Sequence, residues 1–248
     1  MVICTSISAD FTANYRREVA LGRALAARGV AVQRFHYRGT GHTFGEPEAM
    51  TFSGMVEDAL AAADQLRSST GVSALAFMGT RWGALVSAAA ARRFPGAPLI
   101  LWEPVLEAKR FFRDATRARI MASVAQNKAE RLTGERIIAE LKEHGTLDIL
   151  GYTMGLPLYE TSEARTLTDE LGDDPRPLLL VPLNPAAAVD RRFTEAAARW
   201  SEKGFAVTTT AIAVQESWWF RDDKMPGTVD DLVDLTGDWL LGQQEGHR

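Results

Sequence analysis

The sequence predicts an α/β fold: a mostly parallel sheet of about six strands with helices on both faces and an inserted helical cap. Three observations predict it. Short apolar runs alternate with helical stretches at both ends of the chain, as crossovers between parallel strands require. One stretch, Ala74 to Met78, then Gly79-Thr80-Arg81-Trp82-Gly83-Ala84, then Ala88 to Ala91, reads as buried strand, tight turn and helix. From Val105 to Asp174 the alternation lapses into charge-rich helical sequence. The expected division is a core of residues 1–104 and 175–248 with a cap at 105–174.

Met1 to Thr5 is apolar and β-prone, and Ser6 to Asp10 then favours a turn and a helix start. From Phe11 to Arg28, Val19, Leu21, Ala24, Leu25 and Ala26 fit a helical stripe that Gly29 ends. Val30 to Phe35 is the second expected strand. Arg38 to Gly45 is too glycine-rich for regular structure and forms a loop at a strand's carboxyl end. Ser53 to Leu66 follows as a helix with Met55, Val56, Ala59, Leu60 and Ala63 on one face. After the turn at Arg81, Ala97 to Trp102 is a buried strand stopped by Glu103-Pro104.

Within the cap, helices are expected over Ala108 to Leu132 and Gly134 to Lys142, with a connector from Gly151 to Leu158. Alternation resumes with a strand at Pro177 to Leu183, a helix near Asp190 to Lys203, a strand at Phe205 to Ile212 and a last helix at Val229 to Leu241.

The totals narrow the function. The 248 residues are 46% hydrophobic, enough for one sizeable core. The 28 basic and 32 acidic side chains give a net charge of −4 without long blocks, which argues against a nucleic-acid partner. Cys4 is the single cysteine and the histidines are scattered at 36, 42, 144 and 247, so neither a metal site nor a cofactor is expected. No apolar run reaches the roughly 18 residues of a membrane span, and no leader pattern opens the chain. A cytoplasmic protein is expected, with a small-molecule ligand and a homodimer allowed.

A strand, a glycine-bracketed turn and a helix resemble the nucleophile elbow of the α/β-hydrolases, written G-x-S-x-G. Here Arg81 takes the serine's place, and a guanidinium has no lone pair with which to attack an acyl group. Together with the loop Arg38 to Gly45, the cap and the two closing strands, the elbow extends this resemblance over nearly the whole chain. Within the superfamily the chain is similar to the exosortase-A-associated hydrolase 2 group. The residues that carry this are Arg16-Arg17, the elbow, Leu101-Trp102-Glu103-Pro104-Val105 and Trp218-Trp219. The resemblance implies the α/β-hydrolase fold and little chemistry. It also implies one or two strands ahead of the one at Met1 to Thr5, so either a shortened sheet or a different start is expected.

In working hydrolases the acid follows the penultimate strand and the histidine the last. Asn184-Pro185 stands at the first position, and no histidine follows Phe205 to Ile212 closely. A conventional serine hydrolase is therefore not expected. The expected function is non-hydrolytic and biosynthetic, of isomerase, lyase or cyclase type, on an anionic or acyl-type small molecule. The alternatives are a catalytically silent binding or accessory protein and a hydrolase with an unconventional nucleophile such as Cys4 or an activated water.

Arg81 offers paired donors for a carboxylate or phosphate, or else is neutralised by Glu103 on the neighbouring strand. Glu103, Glu216 and His36 are the candidate proton-transfer groups, the carboxylates because desolvation under a cap raises their pKa. Trp82, Ser6, Asn184, Trp218 and His42 complete the candidate binding residues. Core packing explains at least half of the tryptophans, and loop polarity explains His42 equally well.

Overall fold

The computed structural model describes residues 1–125, 132–214 and 228–245. In chain order the first half contains β1 (Val2–Cys4), α1 (Ser8–Ala27), β2 (Gln33–Arg34), α2 (Phe52–Thr70), β3 (Phe77–Thr80), α3 (Gly83–Ala91) and β4 (Leu99–Trp102). Residues 105–174 hold α4 (Ala108–Ala125), α5 (Gly134–His144), the antiparallel hairpin β5 (Thr146–Ile149) and β6 (Tyr152–Gly155), α6 (Leu156–Ser162) and α7 (Leu167–Leu171). The chain then continues through β7 (Pro177–Val181), β8 (Leu183–Asn184), α8 (Arg191–Glu202), β9 (Ala206–Thr209), β10 (Ile212–Ala213) and α9 (Thr228–Glu245).

Six strands form one parallel sheet in the order β2-β1-β3-β4-β7-β9. Its inner strands β1, β3, β4 and β7 are nearly continuous apolar runs because both faces are covered, and alternate residues take opposite sides. Val2, Cys4, Phe77, Leu99, Leu101, Leu178 and Leu180 face a core built with α2, α3 and α8. Ile3, Met78, Ile100, Trp102, Leu179 and Val181 face a second core built with α1 and α9. All carboxyl ends therefore lie along one edge. The chain moves outward from β1 to β2 and returns on β1's other side as β3, so the switch point where such sheets hold ligands falls between β1 and β3.

Several expected elements differ in detail. The second strand shortens to two residues, and the expected strand at 205–212 splits into β9 and β10, the latter pairing with β8 in a separate ribbon. The connector expected at 151–158 is the second strand of a hairpin running straight into α6, whose Pro157 sits in the first turn where no N–H is missed. Ala26, expected on the buried stripe of α1, is exposed, and the helix instead buries Asn14, Arg17, Glu18, Leu21 and Leu25.

Candidate functional site

The turn from β3 to α3 is a tight elbow, and its two glycines have steric reasons. A Cβ on Gly83 would lie 2.1 Å from the Cys4 carbonyl oxygen and 2.5 Å from that of Thr5. One on Gly79 would lie 2.3 Å from the Gly83 oxygen. Between them Arg81 adopts φ +52°, a left-handed conformation that costs a non-glycine residue about 1 kcal/mol. Its N–H donates to the Trp102 oxygen at 3.0 Å, and its own oxygen accepts from the N–H groups of Ala84 and Val105 at 3.2 and 3.1 Å. These three bonds hold the residue where it is.

The Arg81 guanidinium donates through Nε to Asp10 Oδ2 at 3.0 Å, with one fifth of the arginine side chain exposed. The expected pairing with Glu103 is not made. Glu103, also left-handed at φ +39°, directs Oε2 to the Leu183 N–H at 2.7 Å and Oε1 to Arg192 Nη2 at 3.0 Å. Burial raises its pKa, while the Leu183 N–H and then the charges of Arg81 and Arg192 work against that rise. Both oxygens of the expected general base are thus engaged in tying the end of β4 to β8 and α8.

Ser6, at the end of β1, accepts a hydrogen bond through Oγ from the Trp82 backbone N–H at 3.3 Å. In a serine hydrolase that N–H, on the residue after the nucleophile, is an oxyanion donor. Here a buried hydroxyl of the chain itself occupies it. Trp82, a candidate binding residue, is instead fully buried against Phe111, Phe112 and Phe52, with centroids at 4.8, 5.5 and 6.4 Å. Trp102 is equally buried on the opposite face, donating Nε1–H to Thr236 Oγ1 at 3.0 Å. An indole carries enough apolar area that core packing wins at both positions.

Asn184 is committed to its own loop: Oδ1 accepts from the Ala186 and Ala188 N–H groups at 3.2 and 3.1 Å, and Nδ2 donates to the Ala188 oxygen at 2.6 Å. His36 follows the end of β2, half-buried and edge-on to Phe11 at 5.2 Å. Burial, then the charges of Arg34 and His42, lower its pKa, which leaves the imidazole neutral at pH 7. His42 is exposed on the glycine loop. Cys4 is completely buried, and burial followed by the Glu18 charge pushes its thiol far above the ordinary range, so it is no nucleophile. Glu216 and Trp218 lie outside the described residues.

Sequence reasoning missed the partner of Arg81 and the polar face behind it. Asp10, Asn14 and Glu18 recur every four residues on the side of α1 turned toward the sheet edge. Burial pushes the Glu18 carboxyl up to about 7, with Arg34 opposing the rise from 3.4 Å. Asn14 Oδ1 and Glu18 Oε1 have no hydrogen-bond partner among the described residues. Polar residues at a spacing where an apolar stripe belongs were the available signal. Among the described residues no group of histidine, cysteine and carboxylate side chains could hold a metal ion, and no helix is long and apolar enough to cross a membrane.

The serine aminopeptidase S33 family matches residues 11–154. No curated protein matches the chain in sequence. Among solved structures, Est1E from Butyrivibrio proteoclasticus with ferulic acid bound is similar at a TM-score of 0.69 and 19% identity, over 98% of this chain and 88% of its own. A Rhizomucor miehei esterase follows at 0.59 and 18%, over 98% and 73%. A Pyrococcus furiosus esterase gives 0.59 and 14%, over 97% and 80%. At these identities the likeness shows the fold.

Proposed function

Since the chain belongs to the serine aminopeptidase S33 family of α/β-hydrolases, with an arginine at the elbow where those enzymes need a nucleophile, we propose that it binds an anionic or acyl-type small molecule at Arg81 and does not hydrolyse it through the elbow. One observation carries the reading. Arg81 is fixed by backbone bonds at the switch point of the sheet, and among the described residues only its Nε is engaged, by Asp10. The Nη groups remain to donate to a carboxylate or phosphate, and a ligand that displaces Asp10 gains the whole fork.

The neighbouring groups support binding over acyl transfer. Ser6 occupies the oxyanion donor, Glu103 has both oxygens bonded, and Asn184 stands where a triad acid would. Residues 105–174 act in this reading as a cap over the edge, and the protein works in the cytoplasm. Its relatives are then the exosortase-A-associated group, in which the same elbow arginine recurs. A catalytic extension, proton transfer in an isomerisation, elimination or cyclisation, is favoured by His36, whose imidazole is neutral at pH 7 and so able to accept a proton.

A fluorophosphonate probe and a panel of p-nitrophenyl esters test this directly. The expected result is no covalent labelling and no hydrolysis above the buffer rate. Stoichiometric labelling at any serine would overturn the reading.

A further inference from the structure

A cleft of about 800 Å³ opens within the cap, between α4, α5 and α6. That volume suits a small organic ligand. Its apolar lining comes from Phe112, Ile138, Ala139 and Tyr159. Phe112 packs on Tyr159 with centroids 5.0 Å apart, and its other side meets Trp82 at 5.5 Å, so this aromatic layer separates the cleft from the elbow.

The rim is charged, and its sign runs against that of the chain. Lys109, Arg110 and Arg113 from α4 and Lys142 from α5 face the cleft, against Glu107 and Glu135. The rim is therefore net positive, four cations to two acids, on a chain whose net charge is −4. Among the described residues these cations make a single ion pair, Arg110 with Asp114 at 3.8 Å, too long to neutralise it strongly. All four cations are exposed, so their charges stay solvated until a ligand brings its own anion.

We propose that this cleft is a second binding site, for an anionic amphiphile: an alkyl or acyl chain ending in a carboxylate or phosphate. The chain lies on the Phe112, Ile138 and Tyr159 surface, and the head group meets Lys109, Arg113 and Lys142. Apolar burial supplies most of the affinity and the cations select the head group. The site is independent of Arg81, which lies beyond the aromatic layer.

Isothermal titration of the full chain with dodecyl phosphate, kept below its micellar concentration, tests the proposal. Wild type binds, and dodecyl glucoside, with the same tail and an uncharged head, binds at least tenfold more weakly. The double variant Lys109→Gln/Arg113→Gln loses at least tenfold for the phosphate and little for the glucoside. Ala139→Trp, which fills the cleft from an exposed position, weakens both. The same titrations are repeated in Arg81→Ala, which removes the elbow as a competing anion site, and the same pattern is expected there, so failure here and failure at the elbow read separately. Absence of binding in the Arg81→Ala background, or equal affinity for the two heads there, would overturn the proposal. With binding established, co-sedimentation with phosphatidylglycerol vesicles but not phosphatidylcholine assigns the amphiphile to a bilayer, and no co-sedimentation assigns it to a free molecule.

Discussion

Asp10 and Arg81 join the first turn of α1 to the elbow through a single contact, Oδ2 to Nε at 3.0 Å. The pair is partly screened, with 16% and 20% of the two side chains exposed, so its net worth lies between that of a surface pair and a buried one. Asp10→Ala is expected to cost about 1–2 kcal/mol in urea unfolding. It also removes the internal competitor for the guanidinium. Affinity for simple carboxylates is therefore expected to rise several-fold by calorimetry, which a purely structural pair would not produce.

Restoring the missing serine should not restore hydrolysis. In Arg81→Ser the new hydroxyl lacks the triad histidine, since none follows the last strand closely, and the Trp82 N–H still donates to Ser6. The expected rate on p-nitrophenyl butyrate equals that of Arg81→Ala. Adding Ser6→Ala frees the oxyanion donor and is still expected to give no turnover, because the base remains absent.

Glu18 makes stability depend on pH. Its carboxyl titrates near 7 in the folded chain against 4.5 when unfolded. Between those values the folded state holds a proton that the unfolded state has lost, so stability falls as pH rises from about 4.5 through 7. The total fall is up to about 3 kcal/mol. Glu18→Gln keeps the shape and removes the titration. Urea midpoints measured from pH 5 to 8 should lose this component of their slope in the variant.

Gly83→Ala is expected to be among the most damaging single changes. The added methyl meets the backbone oxygens of Cys4 and Thr5, which the central strand cannot move without breaking its pairing with β3. A loss of more than about 3 kcal/mol, or no folded protein at all, is the expected outcome in thermal unfolding. Gly96→Ala is the contrasting control: a Cβ there has no neighbour within 4 Å, so only the strain of its φ of +72° is added.

How much of this was legible in the sequence depended on what each signal encodes. The parallel strands were legible because Leu178 to Val181 and Leu99 to Trp102 are buried on both faces and carry no polar residue. The elbow was legible because its two glycines answer to backbone clashes, which no other residue tolerates. The partners of the charged groups were not. Arg81 and Glu103 end adjacent strands, yet each turned to a residue far away in sequence, Asp10 and Arg192, that projects from a covering helix. Strand order fixes neighbours within a sheet but says nothing of which helical side chain reaches its edge. The β5–β6 hairpin was missed because Thr146 to Gly155 is short, half-exposed and interrupted by Leu150-Gly151 at its turn. Burial of Trp82 was equally hidden, since an indole serves a core and a binding site alike.

The central claim is that the elbow receives an anion, and isothermal titration of propionate, too short to cover the apolar surface of the second cleft, into wild type and Arg81→Ala tests it most directly. A charge-assisted hydrogen bond to a partly buried guanidinium is worth about 1.5–3 kcal/mol. Wild type should therefore bind roughly ten- to a hundredfold more tightly than Arg81→Ala, with Arg81→Lys in between. Equal affinity in wild type and Arg81→Ala would contradict the account and leave Arg81 as no more than the structural partner of Asp10.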